Sequence, residues 1–527
     1  MTQEICNFEA KLKSETVKEF NTSGPNIAEQ HYTIERTGLI NKGIKLVEKE
    51  RYFTIWAPRQ TGKSTYFRQL AEKLLELGYL VAYINFENFK EEKIQTFIRS
   101  FKRNINEFWS TKYEFETIPE FFEQIQSQNQ GKCVLIIDEV EGINKEYFGT
   151  FLHSIRNAYH SRENHSLKSV ILVGVSNIVG VVSDNASPFN IADNLNVPYF
   201  TNEEVFELLG QHETETGQLF EEKVKQKICQ ITANQPGLVN GFAMKLVEDY
   251  QSKKIITYND YLKVEDWYLR IAIDKNFANI LNKAKEERKF VERLLFTEEK
   301  IPFKIDRESI KLLHTNGLIK DDGNGYVTFW VPFYKKRLYD AFYPYSNGEK
   351  TSILRSIAVS ELFDVNNKLK LDKLIAGYKE FVKRRGFNVF RDKDENGKYQ
   401  SIKESALIYS FETYIQAFLQ VVDGKSYREA DTGLGKSDLI INVNSEEYII
   451  ETKIYYYESQ FLNGKKQLAY YCQSLGLSKG IYLVFCPNDV NYSKSIIEQT
   501  ETIEIPKEPG QTVEITTFLI DFDDTKW

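Results

Sequence analysis

Residues 52–64 read YFTIWAPRQTGKS, and this stretch decides the fold of the first half of the chain. The apolar run at 52–56 predicts a buried strand, and the pattern from Lys63 onward predicts a helix. Between them, residues 57–64 match the spacing G-x-x-x-x-G-K-[ST], with Ala57 in place of the first glycine. A loop of this kind turns its backbone N–H groups and a helix N-terminus towards phosphate. The stretch therefore predicts a phosphate-binding loop, or P-loop.

The predicted nucleotide site has a second half in VLIIDE, at residues 134–139. Lys63 would reach the β and γ phosphates of ATP, while the Ser64 hydroxyl would bind Mg²⁺. At the carboxyl end of the VLIIDE strand, Asp138 would hold the water shell of the metal and Glu139 would polarise the attacking water, unless the two are only a helix-capping acidic pair. The predicted nucleotide-binding residues are Ala57, Pro58, Arg59, Gln60, Thr61, Gly62, Lys63, Ser64, Thr65 and Asp138.

Further apolar runs extend this pattern into an α/β fold. From about residue 33 to 200, the runs YFTIWA, LVAYINF, CVLIIDE and SVILVGV alternate with helical patterns. Continuous apolar strands separated by helices are typical of a parallel sheet that is covered on both faces. We therefore expect a P-loop nucleotide-binding core in this part of the chain.

Length and composition limit what the whole chain can be. A chain of 527 residues exceeds the roughly 250 to 300 residues at which single cores stop growing, so two to four domains are expected. The net charge of −7 leaves nucleic-acid contacts to local patches such as 335–337 and 383–385, although each patch is better explained as a solvated face. The five cysteines form no Cys-x-x-Cys pair, which speaks against a zinc ribbon or a disulfide framework. No segment reaches the roughly 18 apolar residues of a membrane span, so we expect a cytoplasmic protein without a membrane partner.

The loop, the acidic pair and the region after them resemble AAA-like ATPases of the STAND and archaeal-ATPase type over about residues 33–343. The resemblance implies a P-loop ATPase core at 33–202 after an N-terminal extension at 1–32, a helical lid at 203–276 and a winged helix at 277–345. The G-x-P lid motif of these proteins reads Asn234-Gln235-Pro236 here, without its glycine. The segment 306–316 would be the recognition helix for DNA, or it would pack on the ATPase.

Two further roles remain open between alternatives. Ser176 or Asn177, after the fourth strand, would contact the γ-phosphate or form a plain turn. Arg156 would act as an arginine finger towards a neighbouring subunit, which requires a homo-oligomer, or would make a surface salt bridge.

A second cluster lies in the hairpin DLIINVNSEEYIIETKI at residues 438–454. A turn at 444–445 pairs Val443 with Glu446, and that register places Asp438 opposite Glu451 with Cβ atoms about 4.5 to 5.5 Å apart. Two carboxylates this close can share a cation. Lys453 lies two residues beyond Glu451 and shares its face, an arrangement suited to a metal-bound water that attacks a phosphodiester.

This cluster resembles the PD-(D/E)XK nuclease superfamily, with Ser437-Asp438 and Glu451-Thr452-Lys453 as its motif. The resemblance implies a mixed α/β domain at 346–527, with Glu412 as a further metal ligand or else a surface residue. Gln467 and Tyr471 match the Q-x-x-x-Y pattern of RecB-like nucleases. With the ATPase site included, the predicted catalytic residues are Glu139, Asp438, Glu451, Lys453, Gln467 and Tyr471. The predicted metal ligands are Ser64 and Asp138 at the ATPase site and Glu412, Asp438 and Glu451 at the nuclease-like site.

The two resemblances together imply a metal-dependent nuclease, using Mg²⁺ or Mn²⁺, that acts on nucleic acid under the control of ATP. DNA is the preferred substrate of this hypothesis. The alternative is an ATP-dependent switch or scaffold whose nuclease-like domain only binds its partner.

Overall fold

The computed structural model describes two compact units. The first comprises Met1–Lys283, Phe303–Asp321 and Phe329–Tyr334, and the second comprises Ala284–Pro302, Asp322–Thr328 and Lys335–Trp527. The described residues are 17–127, 131–174, 193–272, 275–342, 359–364, 368–387, 390, 400–419, 422, 424–431, 436–444, 446–487, 496–505 and 510–522. Ser176, Asn177 and the expected domain boundary near 345 lie outside these ranges.

A five-stranded parallel sheet forms the centre of the first unit. Its order is β2-β3-β4-β1-β5, and all four neighbouring pairs are parallel. The strands are β1 (Phe53–Trp56), β2 (Leu80–Asn85), β3 (Cys133–Asp138), β4 (Leu167–Gly174) and β5 (Asp193–Asn196). The predicted parallel α/β sheet is confirmed.

Helices cover both faces of this sheet. Leu135 and Ile137 of β3 pack in one core, whereas Val134 and Ile136 pack in another, because successive side chains of a strand point to opposite faces. This two-sided burial explains why the strands read as unbroken apolar runs. The helices of this part are α1 (Thr37–Glu48), α2 (Lys63–Glu76), α3 (Ile94–Trp109), α4 (Ile118–Ser127) and α5 (Lys145–His160).

The next part of the first unit is helical, as the sequence predicts. Thr201 and Glu204 form a reciprocal capping box that fixes the start of α6. Pro236 occupies the first turn of α8, where its missing N–H costs no helical hydrogen bond. The helices are α6 (Asn202–Thr216), α7 (Glu222–Thr232), α8 (Pro236–Asp249) and α9 (Tyr258–Arg270), with short strands β6 (Leu219–Phe220) and β7 (Ile255–Ile256).

The region predicted as a winged helix contains helices followed by a short hairpin. Gly317 ends α12 with a φ of 81°, and Gly323 and Gly325 turn the hairpin with φ values of 92° and 87°. The order of elements agrees with the prediction, and the winged-helix assignment itself stays a proposal. The elements are α10 (Lys275–Glu286), α11 (Arg288–Phe296), α12 (Glu308–Thr315), β8 (Ile319–Asp321), β9 (Val327–Phe329) and α13 (Pro332–Phe342).

The second unit is built on a six-stranded mixed sheet of order β10-β11-β12-β13-β15-β14. The pairs β10 with β11, β11 with β12 and β14 with β15 are antiparallel, and β12 with β13 and β13 with β15 are parallel. The strands are β10 (Lys425–Asp431), β11 (Lys436–Val443), β12 (Glu446–Ile454), β13 (Lys479–Pro487), β14 (Gln499–Glu504) and β15 (Thr512–Phe522). Its helices are α14 (Leu371–Arg385), α15 (Glu404–Leu419) and α16 (Glu458–Ser474). The predicted mixed α/β architecture is confirmed.

Helix α11 and the later part of α13 belong to this second unit. The rings of Phe296 and Tyr339 lie 5.6 Å apart, and the Tyr339 hydroxyl donates to the carbonyl of Leu295 at 2.8 Å. The Tyr339 hydroxyl also lies 2.6 Å from Ser405 Oγ of α15. The contact with Ser405 ties residues before position 343 to α15. Among the described residues, no helix is long and apolar enough to cross a membrane.

Candidate functional sites

In the predicted P-loop, the lysine side chain is hydrogen-bonded to the backbone of the loop itself. The Lys63 ammonium donates to the carbonyl of Ala57 at 2.6 Å and to that of Pro58 at 2.8 Å, and the Thr61 hydroxyl donates to Pro58 at 3.1 Å. Gly62 precedes α2 with a φ of 82°, which glycine adopts without strain. Ala57 does not have a positive φ, so alanine fits where the motif has glycine.

The N-terminus of α2 fits a phosphate. Gly62 is its N-cap and provides no side-chain cap for the first N–H groups of the helix. Such uncapped donors, at the positive end of a helix, form an anion site. The residues present therefore fit the triphosphate of ATP, and Ser64 lies in this first turn.

Asp138 ends β3 and is held by two hydrogen bonds. Its Oδ1 accepts from the backbone N–H of Glu139 at 3.0 Å, and its Oδ2 accepts from the Tyr83 hydroxyl at 3.1 Å. Tyr83 lies on the neighbouring strand β2 and was not a predicted site residue. Both oxygens thus have partners that fix the carboxylate at the strand end, where the prediction places it.

Burial shapes the electrostatics of this site. Desolvation lowers the pKa of Lys63 to about 8, although Glu139, Glu141 and Asp138 act in the opposite direction. Desolvation raises the pKa of Asp138 and also that of Glu139, and the neighbouring carboxylates of Glu141 and Asp138 raise the pKa of Glu139 further. The lysine and the acidic residues therefore share one partly buried environment, which is how active sites perturb protonation.

The backbone at Glu139 is strained. Its φ is 48°, a left-handed conformation that a residue with a β-carbon rarely adopts. The following turn, Val140–Gly142, lies so close to the end of β2 that a Cβ on Gly142 would stand 2.4 Å from the carbonyl oxygen of Phe86. Strain of this kind concentrates at functional positions and supports a special role for Glu139.

The lid segment binds the P-loop directly, which the sequence motif alone left in doubt. The backbone N–H of Gly237 donates to the carbonyl of Gln60 at 3.1 Å, and the side chain of Gln235 donates to the carbonyl of Arg59 at 3.3 Å. Asn234, which replaces the glycine of the motif, has a φ of 61°. Asparagine is among the side-chain-bearing residues that tolerate this conformation best, so the replacement keeps the turn.

Gln235 in turn has a buried partner. The Tyr334 hydroxyl donates to Gln235 Oε1 at 2.9 Å, and the Asn276 amide donates to the Tyr334 hydroxyl. All three side chains are buried. The sequence analysis missed this relay, because its members are far apart in the chain and match no motif.

Thr65 and Arg156 have less specific surroundings. The Thr65 hydroxyl accepts from the backbone N–H of Asn26 at 3.1 Å, so the N-terminal segment contacts the loop helix. Arg156 lies half-buried on α5, and within the described part of the chain its side chain makes no ion pair. The role of an arginine finger stays a proposal.

The hairpin of the second unit has the predicted register. Leu439 pairs with Ile450, Ile441 pairs with Tyr448, and Val443 pairs with Glu446. Asp438 directly precedes Leu439, at the end of the hairpin far from the turn. Its Oδ2 accepts from the backbone N–H and the hydroxyl of Thr452 at 2.7 and 2.9 Å. The register therefore brings Asp438 to the part of β12 that carries Glu451 and Lys453.

Asp438, Glu451 and Lys453 form a partly buried acid–base cluster with Glu404. Desolvation raises the pKa of Asp438 to about 6, and desolvation together with the charge of Asp438 raises the pKa of Glu451 to about 8. Burial opposes the charge of Lys453, but Glu404, Glu451 and Asp438 outweigh it and raise the pKa of the lysine. Lys453 Nζ lies 2.8 Å from Glu404 Oε1 and 3.4 Å from Glu451 Oε1.

Glu404, which the sequence analysis did not name, contacts Lys453, and the predicted ligand Glu412 does not. Glu412 instead pairs with Arg428 at 2.5 Å and accepts from the Ser426 hydroxyl at 2.7 Å. Arg428 lies opposite Leu439 in the sheet, so it shares the face of Leu439 and Ile450, and Glu451 points to the other face. The role of Glu412 as a metal ligand stays a prediction, and its present partners lie away from Glu451. Glu404 sits two helical turns earlier and reaches Lys453 from the first turn of α15.

Gln467 and Tyr471 meet on α16 as their spacing predicts. The Gln467 amide donates to the Tyr471 hydroxyl. Burial raises the pKa of Tyr471, and Glu451 and Asp438 add to this effect. The pair therefore lies within electrostatic range of the cluster.

The donor set at the second site is small. Within the described ranges, no group of three or more His, Cys, Asp or Glu side chains is arranged to hold a metal ion. Glu451 is 1% exposed, and its Oε2 is buried without a hydrogen-bond partner. An orphaned carboxylate oxygen beside Asp438 fits one hard divalent cation, which takes oxygen ligands.

Comparisons with known proteins agree with the first site. A parallel sheet with a P-loop after β1 and Asp138 at the end of β3 defines the P-loop NTPase class. Residues 22–343, more than half of the chain, match the family model described as an AAA-like domain, and the chain belongs to this family. The protein is therefore an ATP-binding AAA-like P-loop ATPase, a class that typically binds its nucleotide with Mg²⁺. Residues 369–489 match a domain of unknown function (DUF8371), and no curated protein matches the chain.

Several solved structures are similar to part of the chain. A Walker-type ATPase of Pyrococcus abyssi is 15% identical, with a TM-score of 0.47 over 60% of this chain and 99% of that one. The RuvB Holliday junction branch migration motor of Thermotoga maritima is 14% identical, with a TM-score of 0.35 over 62% and 100% of the two chains. The Orc1 protein of Aeropyrum pernix, solved in complex with DNA, is 14% identical, with a TM-score of 0.33 over 59% and 94%.

Proposed function

We propose that this ATPase controls a metal-dependent nuclease of the PD-(D/E)XK superfamily located in its C-terminal region. The supporting observation is the hairpin register, which brings Asp438 to Glu451 and Lys453 in a buried setting. A lysine and two carboxylates with raised pKa values form a constellation that favours catalysis over a solvated surface.

The side chains divide the work as follows. Asp438 and Glu451 would hold Mg²⁺ or Mn²⁺, which would supply water activation and charge neutralisation at a phosphodiester. Lys453 keeps its proton through Glu404 and Glu451 and faces the scissile phosphate as a cation. Gln467 fixes the Tyr471 hydroxyl beside the cluster. The substrate is nucleic acid, with DNA preferred.

The ATPase site supplies the control. Lys63 would exchange the carbonyls of Ala57 and Pro58 for the phosphates. Ser64 and Asp138 would hold Mg²⁺, and Glu139 would polarise the attacking water. Because Gln235 and Gly237 bond to the loop backbone, the state of the loop is coupled to the lid. Arg156 completes the site of a neighbouring copy in a homo-oligomer.

A second candidate function is an ATP-dependent switch or scaffold with a catalytically inactive nuclease-like domain. It is favoured by the hydrogen bonds that the residues of the cluster already make within the protein. Lys453 is bonded to Glu404, and Asp438 accepts two hydrogen bonds from Thr452. A site that has lost catalysis would retain such internal pairing.

The deciding experiment compares the parent protein with Asp438→Ala and Lys453→Ala on labelled linear and circular DNA, with Mg²⁺ or Mn²⁺ and with or without ATP. The expected result is cleavage by the parent and a loss on the order of a hundredfold in each variant. Glu447→Ala is the matched control, because Glu447 is an exposed carboxylate on the same strand. If both variants cut as fast as the parent, the nuclease site lies elsewhere. If the parent cuts nothing under any condition, the scaffold function replaces the nuclease.

A further inference from the structure

Two tyrosines are exposed directly after the strand that carries Glu451 and Lys453. Tyr456 is 45% exposed and Tyr457 is 60% exposed, in the link between β12 and α16. The chain has 31 tyrosines, yet within the described residues the only other tyrosine exposed to a comparable degree is Tyr326, at 37%. Large aromatic faces are normally buried, so an adjacent exposed pair beside a charged cluster calls for a binding role.

The exposed face of α16 continues this surface. One face of the helix is formed by residues that lie three or four positions from another member of the set. All of them are exposed, and they are Ser459, Leu462, Asn463, Lys466 and Gln467. This stripe contains a lysine, two amides and a hydroxyl but no carboxylate, although the protein as a whole is acidic. Glu458, in the first turn, is the nearest exposed acid in the sequence.

The stripe leads from the tyrosines to the acid–base cluster. Gln467, at the far end of the stripe, donates a hydrogen bond to the Tyr471 hydroxyl. The charges of Glu451 and Asp438 raise the pKa of Tyr471, so the two carboxylates lie within electrostatic range of it. Leu462 is 47% exposed and adds apolar area between the two ends. The surface is thus continuous with the proposed nuclease site along one helix.

We propose that Tyr456, Tyr457 and this stripe of α16, together called the tyrosine surface, bind an unpaired strand of nucleic acid by stacking its bases. The inference rests on the proposed function and specifies its substrate class. Exposed aromatic faces stack on nucleobases without regard to sequence, and only unpaired bases offer a free face. Lys466 supplies the cation that a phosphate backbone needs, and Asn463 and Gln467 supply hydrogen bonds.

Binding is tested separately from cleavage. The full chain carrying Asp438→Asn, kept in EDTA, is titrated with labelled oligo(dT) of about 20 nucleotides, with an abasic strand of the same length, with the duplex and with oligo(U). We expect the unpaired dT strand to bind more tightly than the duplex or the abasic strand. Tyr457→Ala and Tyr456→Ala are each expected to weaken binding about tenfold, whereas Tyr457→Trp retains it. Tyr326→Ala is the control, since it removes an exposed tyrosine outside this surface.

The outcomes separate the two proposals. Parent-like affinity for dT in both alanine variants overturns the tyrosine surface, even if the parent cleaves DNA. A preference for duplex, or equal binding of the abasic strand, overturns it too. Tyrosine-dependent binding of unpaired strands without cleavage in Mg²⁺ or Mn²⁺ supports the surface and rejects the nuclease. The oligo(U) arm decides between DNA and RNA as the source of the strand.

Discussion

The side-chain amide of Gln235 donates a hydrogen bond to the backbone carbonyl of Arg59, over a separation of 3.3 Å. Gln235 is the middle residue of the lid motif and the N-cap of α8, and Arg59 lies within the P-loop. Because Gln235 is only 1% exposed, this bond is made away from water and is costly to break. It connects the lid to the loop that binds the phosphates.

Replacing Lys63 by alanine should weaken ATP binding by roughly tenfold or more, because a hydrogen bond to a charged group contributes about 1.5 to 3 kcal/mol. Titration with a fluorescent ATP analogue measures the effect, and Lys45→Ala, an exposed lysine on α1, is the control. Equal affinity in Lys63→Ala and the parent would remove the P-loop assignment.

Glu139→Gln should bind ATP but turn it over on the order of a hundredfold more slowly. The glutamine keeps the shape of the strained residue and removes the negative charge that polarises water. Steady-state phosphate release, compared with nucleotide retention after rapid filtration, measures both effects. Glu146→Gln, an exposed carboxylate in the first turn of α5, serves as the control. Unchanged turnover in Glu139→Gln would assign the base elsewhere.

Tyr334→Phe should lower the free energy of unfolding by about 1 to 3 kcal/mol, because it leaves the buried Gln235 oxygen without its donor. The loop should loosen as well, so ATP affinity should fall. The matched control is Tyr199→Phe, since the buried Tyr199 hydroxyl makes no hydrogen bond within the described part of the chain. Equal urea unfolding curves for the two variants would show that the relay does not stabilise the loop.

Glu404→Gln should mainly affect cleavage, whereas Glu412→Gln should mainly affect stability. Glu404→Gln should reduce cleavage while changing stability by less than about 1 kcal/mol, because Glu404 is 30% exposed. Glu412→Gln should destabilise the second unit by about 3 kcal/mol, because it removes the charge of a buried carboxylate that pairs with the mostly covered Arg428. Parallel cleavage and thermal unfolding assays distinguish them. Loss of cleavage in a Glu412→Gln protein of unchanged stability would instead support Glu412 as a metal ligand of the nuclease-like site.

A C-terminal fragment beginning at residue 351 should be less stable than one beginning at Ala284. The shorter fragment lacks α11 and the part of α13 whose Tyr339 contacts Phe296 and Ser405. Circular dichroism and urea unfolding of the two fragments measure the difference. A cooperative, parent-like transition in the shorter fragment would instead support the boundary near 345 that the sequence predicts.

Local patterns predicted much of the first site. The strand before Ala57, the helix from Lys63 and the acidic end of β3 all follow from residues close together in the chain. Tyr83 could not be found in this way, because its bond to Asp138 depends on β2 lying beside β3. Gln235 was named as part of a lid motif, but its bond to the P-loop follows only from the fold.

The sequence by itself determined the periodic elements, the P-loop and the register of the 438–454 hairpin, because each depends on residue spacing within one element or one turn. Only the tertiary structure decided that Glu404 rather than Glu412 reaches Lys453. Both glutamates lie on α15, and helical spacing alone does not say which turn faces Lys453 on β12. That choice depends on how the helix packs across β10, β11 and β12, a long-range arrangement that no local pattern encodes.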